Sequence, residues 1–211
     1  LALTILPVLW LREPPRAAGD GAVAAAAPRP SFAALSAGWA ARLRVPGFLA
    51  FVGLICFYKF GDSMVASLIG PFMKDAGLPT ETIAIMKGTV GSLASLAGAA
   101  LGGWVAFRFG RRNAVLGCGL LQTASLGFYI AAAAGVSVVP MLWAGTVAEH
   151  LLGGMATVAL FTLMMDASDP DHAGTDYTLL ACAIVVAMGL ANFAGASVAD
   201  AFGYLPTFVL G

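Results

Sequence analysis

Charge is what this sequence has least of. Of its 211 residues only 10% are Asp, Glu, Lys or Arg, against 60% hydrophobic, and the formal net charge is zero. A water-soluble domain carries about 25% charged residues, so a soluble globular fold is excluded first. Cysteine is scarce too. Cys56, Cys118 and Cys182 lie in three separate apolar runs, at no spacing that suits a metal and in an odd number that gives no disulfide framework. All three are expected to be small buried hydrophobes. Enzyme signatures are missing: there is no HExxH, no GxSxG and no phosphate-binding glycine loop. Glu149-His150 has no second histidine at helical spacing for zinc. No enzymatic activity, cofactor, metal or nucleic-acid partner is expected.

What the chain has in excess is apolar length, with a mean hydropathy of +0.89. A helix needs about 20 residues to cross a bilayer. Five stretches reach that, roughly Pro46–Met73, Thr82–Phe107, Ala114–Ala134, Val139–Met165 and Tyr177–Ala199. The connections are short: Lys74 to Glu81, Arg108 to Asn113, Gly135 to Val138 and Asp166 to Asp176. Leu1 to Leu11 covers about 16 Å as a helix, half a bilayer, and is read as the end of a preceding span. Residues 204–211 are read as a further partial span. The start carries no signal-peptide n-region or cleavage site. These features predict an all-α membrane protein of five full spans plus two partial ones, cut from a longer chain.

Residues 12–45 read as a linker. Ala17 to Pro30 is nearly all Ala, Gly and Pro, with too little side chain to bury and no helical or strand period. Phe32, Leu35, Trp39 and Leu43 follow at helical spacing. They suit either an interfacial amphipathic helix or an extension of the first full span. Arg12, Arg16, Arg29, Arg42 and Arg44 lie in this segment, and Arg108, Arg111 and Arg112 in the loop after the second span. The intervening loop has only Lys74, so the positive-inside rule places the linker and loop 108–113 in the cytoplasm. Asp166 to Asp176 is cytoplasmic by parity, although it holds four aspartates and no lysine or arginine. A long basic linker between six-span blocks is the plan of transporters built as two six-helix halves. On that plan the chain is the second half, and the first half is its partner.

Polar residues inside the spans are the functional candidates. Lys59 and Asp62 fall near the middle of the first span, where each charge costs roughly 2.5–3.5 kcal/mol. They are three apart, and Tyr58 and Asp62 four apart, so all three share a face. Such residues mark a substrate or ion path; the other reading is a self-neutralising pair that locks helix packing. Gly61 between them permits close approach of a neighbouring backbone. Lys87, in the second span, either snorkels to the surface or faces the path. Gly98 and Gly102 form a GxxxG pair for helix packing. Gln122 suits a hydrogen bond to a neighbouring helix before substrate contact. Glu149 has Gly145 and Gly153 one turn to either side, so it points into a close helix contact. Loss of water favours a neutral carboxyl over a carboxylate, which suits a proton carrier; a static partner for Lys59 or Lys87 is the alternative. His150 faces about 100° away and titrates nearer neutrality. Asn192 either lines a cavity or packs.

Two patterns carry a resemblance. Gly103-Trp104-Val105-Ala106-Phe107-Arg108-Phe109-Gly110-Arg111-Arg112 resembles the signature loop of the major facilitator superfamily, a glycine, then an acid, then Arg-x-Gly-Arg-Arg. Here Phe107 stands at the acidic position. The basic cluster can cap helix ends and pair with acidic residues on the cytoplasmic side. Phe57-Tyr58-Lys59-Phe60-Gly61-Asp62, Ile85-Met86-Lys87-Gly88, Glu149-x-x-x-Gly153-Gly154-Met155 and Tyr177-x-Leu179-Leu180-x-Cys182 resemble the AmpG-type muropeptide permeases within that superfamily. The similarity runs from about Pro46 to Pro206. These permeases group with acetyl-coenzyme A transporters and certain siderophore permeases.

The resemblance implies a twelve-span, proton-driven importer of muropeptides in the bacterial inner membrane. Its partners are a small-molecule substrate, protons and the lipid bilayer. Tyr58, Lys59, Asp62, Lys87 and Glu149 become candidates for its polar cavity or coupling path. Two positions depart from the muropeptide permeases. Asp176-Tyr177 resembles the siderophore-permease branch, and His150 replaces a small polar residue, typically asparagine, so a siderophore permease is the alternative within the superfamily. A membrane protein whose charges only hold an assembly together is the alternative outside it.

Overall fold

The computed structural model describes residues 38, 40–170 and 173–211. The preceding half-span and most of the linker read from the sequence lie outside these residues. Five helices among the described residues are long and apolar enough to cross a membrane: α1 (Phe48–Asp75), α2 (Thr80–Phe109), α3 (Arg111–Ala133), α4 (Val138–Ala167) and α5 (Ala173–Phe202). A short helix, α6 (Tyr204–Leu210), follows. Without water to satisfy backbone N–H and C=O groups, an apolar run in a bilayer pairs them within itself, and the helix does so. The all-α membrane architecture expected from composition is the architecture observed.

The helices run past the apolar stretches that define them. At 28 to 30 residues, four of the five reach about 42–45 Å, more than the 30 Å of hydrocarbon. Polar residues read as loop are therefore helical. α4 continues through Asp166, and α5 begins at Ala173, which takes Asp176 out of the connection and into the first turn of a helix. Arg111, Arg112 and Asn113 open α3, and only Gly110 separates it from α2. Gly110 holds φ +82°, a conformation that a side chain disfavours. α2 carries a π-helical turn over Ile85–Val90, and α3 is interrupted at Leu126.

Small residues set the helix contacts. Gly98 of α2 faces the Leu151 backbone of α4, and Gly102 faces Met155. Gly154 of α4 returns the contact: a Cβ there would stand 2.5 Å from the Ser95 carbonyl oxygen. The GxxxG pair thus has a glycine opposite it, the close-approach geometry that drives association where lipid is as apolar as the side chains. Gly195 of α5 does the same against the Met64 carbonyl of α1, at 2.6 Å. Gly61 faces the Gly211 backbone at the end of α6.

Two apolar clusters cap the bundle. One gathers Ile69, Phe72, Met73, Tyr129, Leu142 and Phe208; the other gathers Phe48, Ile55, Leu160, Met164, Leu180 and Ile184. Cys118 is buried and Cys56 half-buried, but Cys182 is exposed. The expectation that all three cysteines are buried is corrected there, because Cys182 sits on the outward face of α5 beside exposed Val185 and Val186.

At the second cluster's end, the acidic segment is neutralised from other elements. Arg42 donates to Asp176 through Nε at 2.8 Å and through Nη2, and lies 3.7 Å from Asp169. Asp176, 1% exposed, also accepts the Asp169 backbone N–H at 3.0 Å. Arg111 pairs with Asp166. The missing lysines and arginines of this segment are supplied by the start of α3 and by the residues before α1.

Candidate functional site: a polar band between two apolar clusters

Midway along the bundle the spans carry the polar residues singled out from the sequence. On α1, one helical turn brings Lys59 to Asp62, and Nζ donates to Oδ2 at 2.7 Å. The side chains are 12% and 16% exposed, so the pair is withdrawn from bulk solvent without being sealed. Gln122 of α3, itself buried, donates Nε2 to the other carboxylate oxygen, Oδ1. Both oxygens of Asp62 are therefore occupied. Ser125 Oγ donates to the Gln122 carbonyl at 2.6 Å. Tyr58 donates its hydroxyl to the Val115 carbonyl at 3.1 Å, and its ring fills the space that a side chain at Gly119 would take. Tyr58 and Gln122 together fix α1 against α3.

Glu149 is differently placed. Gly153, one turn on, lies beside the Gln122 amide, where a Cβ would stand 3.3 Å from Nε2. Glu149 therefore enters the α3–α4 contact, as its flanking glycines suggest. His150 Nδ1 lies 2.6 Å from Glu149 Oε2 and 2.9 Å from the Thr146 carbonyl. A carbonyl can only accept, so Nδ1 carries the hydrogen of the neutral ring; it points at Thr146, and the closer Glu149 oxygen lies off its direction. Glu149 Oε2 is left buried with no hydrogen bond of good geometry among the described residues. Proximity without a directed hydrogen accounts for both observations. The imidazole rests on Gly91, the residue after the π turn of α2, and Ser95 Oγ donates to the His150 carbonyl at 3.3 Å.

Two cavities meet at this band. One, of about 370 Å³, has Lys59, Asp62, Gln122, Glu149, His150 and Thr157 in its wall. The other, of about 630 Å³, has Phe57, Tyr58, Phe60, Asp62, Gln122 and Thr123. Asp62 and Gln122 belong to both walls. Lys87 and Asn192 belong to neither: Lys87 is half-buried in the π turn, within electrostatic reach of His150, and Asn192 lies on the exposed face of α5. Of the two static partners considered for Glu149, Lys59 is engaged by Asp62 instead. Thr157 was not legible as a site residue, although Glu149, Gly153 and Thr157 recur at a spacing of four along one helix face, which is the signal that finds it.

The signature loop divides by role. Gly103 is half-buried near Val158, Arg108 lies over the Phe109 ring at 5.9 Å, and Gly110 breaks the helix. Arg111 holds Asp166 and Arg112 is exposed. Phe107, at the signature's acidic position, is 90% exposed; the acid that meets this cluster comes from the end of α4.

Five membrane-length helices, the Gly110 junction and a charged band inside the bundle define a polytopic membrane protein of the transporter class. Residues 52–211 match the Major Facilitator Superfamily, and the chain belongs to it; members of this family are transporters, not enzymes. The chain is 32% identical over 129 residues to the anhydromuropeptide permease of Escherichia coli K12, covering 60% of this chain and 26% of that protein. It is 30% identical over 169 residues to an uncharacterized protein of Haemophilus influenzae, covering 77% and 39%. It is 28% identical over 130 residues to a putative AmpG transporter of Rickettsia conorii, covering 61% and 31%. The chain thus spans between about a quarter and two fifths of these relatives.

Proposed function

We propose that this chain forms the second half of a proton-coupled transporter that imports an amphiphilic solute, a muropeptide or close relative, across the bacterial inner membrane. In this reading the linker and loop 108–113 face the cytoplasm, and a first six-helix half closes the cavities from the other side. The observation that carries it is the contrast between two carboxylates in one polar band. Asp62 has both oxygens engaged by Lys59 and Gln122, and is the static member of the two. Glu149 keeps a buried oxygen without a directed hydrogen, and is the centre of the proton site. Gaining and losing a proton there biases the balance between inward- and outward-facing states, which is all that a coupling ion has to do.

The solute class rests on the walls and on the relatives. Phe57, Tyr58 and Phe60 give the larger cavity an aromatic side, while Asp62, Gln122 and Thr123 give it a polar one. An amphiphile fits both, and two of the similar proteins are named as an anhydromuropeptide permease and an AmpG transporter. Asp176, where the sequence departs toward the siderophore branch, is buried against Arg42 at the bundle end and lines neither cavity. That departure has a packing cause and is no argument for a different solute.

Replacing Glu149 with glutamine in the full-length protein is expected to abolish accumulation against a gradient, leaving at most downhill equilibration. Uptake into proteoliposomes with an imposed proton gradient, across muropeptide and siderophore panels, measures it. Accumulation equal to that of the unaltered protein removes Glu149 from the coupling path.

A further inference from the structure

His150 lies in the polar band and has no role in the coupling scheme above. Its Nδ1–H is committed to the Thr146 carbonyl, which fixes the tautomer of the neutral ring with Nε2 unprotonated. Nδ1 is also 2.6 Å from the orphaned oxygen of Glu149. The side chains of Glu149 and His150 are 13% and 19% exposed, and both line the cavity that holds Lys59 and Asp62. The far edge of the ring, Cδ2 and Nε2, rests on Gly91, where a Cβ would come within 2.6 Å.

We propose that the proton site is the Glu149–His150 dyad, with the imidazole as the group that sets its pH range and Gly91 as the seat that lets the ring occupy its position. The proposal rests on the coupling role given above to Glu149. One proton enters at Nε2 while the Nδ1 hydrogen stays on the Thr146 carbonyl. The ring becomes a cation beside the Glu149 carboxylate, and where the imidazole is removed Glu149 takes the proton itself, so that the site still works but at lower pH. On release the proton leaves from Nε2, and the dyad returns to a neutral ring and a carboxylate. The charged and titratable groups around the dyad are Lys87 from α2, near His150, Tyr129 from α3, near Glu149, and Lys59 and Asp62 across the cavity from α1. Lys59 and Asp62 cancel each other through their own pairing.

The test is the pH profile of proton-driven uptake by the full-length protein in proteoliposomes. An imidazole titrates about two units above an ordinary carboxyl. His150→Asn is therefore expected to move the half-maximal pH for uptake downward by about one unit or more. Asparagine keeps an amide donor for the Thr146 carbonyl, so the packing is spared. Gly91→Ala, which retains the imidazole but pushes it from its seat, is expected to move the profile in the same direction. In the unaltered protein, ¹⁵N imidazole signals assigned to His150 by their loss in His150→Asn are expected to show Nδ1 protonated throughout and Nε2 titrating in step with uptake. A folded His150→Asn protein with an unmoved profile, or an Nε2 that does not titrate across the uptake range, overturns the dyad. If Glu149→Gln still abolishes uphill uptake in that case, the coupling role of Glu149 stands and only the role of His150 falls. If Glu149→Gln has no effect, both fall together.

Discussion

Lys59→Met alone is expected to destabilise the folded protein by about 3–5 kcal/mol, and the double change Lys59→Met, Asp62→Leu to recover more than half of that. The first step strands a carboxylate inside the bundle with Gln122 as its remaining neighbour, because the ammonium 2.7 Å away has gone. The second removes the stranded charge and substitutes apolar volume, a trade that buried ion pairs tolerate because desolvating two charges offsets most of their attraction. Recovery stops short of complete, since the Gln122 amide then loses its acceptor at a buried position, a loss of about 1–3 kcal/mol. Thermal unfolding of the purified full-length variants in detergent measures the stability series. Uptake by the double variant measures something else. If Lys59 and Asp62 line the solute path, the stable double variant transports nothing; if they only lock α1 against α3, it transports normally. Normal uptake by that variant excludes Lys59 and Asp62 from the path.

The α2–α4 contact is the second place where one atom changes much. Gly154→Val is expected to cost about 3 kcal/mol or more, seen as loss of folded protein after extraction. The reason is the 2.5 Å between a Cβ at 154 and the Ser95 carbonyl oxygen. Backbone atoms cannot turn aside as a flexible side chain can, so the helices must separate, and the cavity wall carried by Glu149, Gly153 and Thr157 moves with them. Gly117→Ala is the control. Nothing lies within 4 Å of a Cβ there, and the loss of glycine's backbone freedom in a helix makes the change neutral or stabilising by up to about 1 kcal/mol. Equal melting temperatures for the Gly154 and Gly117 variants would mean that the glycine seam is not what holds α2 to α4.

Much of the architecture was legible because the physics behind it is local. A run of bilayer length with no water at hand has one way to pair its backbone, so the runs between Pro46 and Ala199 predict helices whatever their neighbours do. The Lys59–Asp62 pair is local as well, since three residues on one helix put both groups on one face. The flanking glycines of Glu149 showed that it enters a helix contact for the same reason. Helix ends were less legible, because polar residues such as Asp166 and Arg111 extend a helix beyond hydrocarbon as readily as they end it.

Which helix meets which was settled only by the tertiary structure. Gln122 reaches Asp62 across 60 residues of sequence, Tyr58 reaches Val115 across 57, and Arg42 reaches Asp176 across 134. In a soluble helix, an apolar stripe against a polar face announces the side that packs. The spans here are apolar over most of their circumference, and lipid is as good a neighbour as leucine, so composition does not choose a partner face. Small residues and rare polar groups choose it, and they act only once two backbones are close enough to touch. The sequence by itself determined which stretches of the described residues form membrane-length helices and which charges they carry. The meeting of Gly154 with Ser95, of Gln122 with Asp62, and of His150 with Gly91 was decided by the fold.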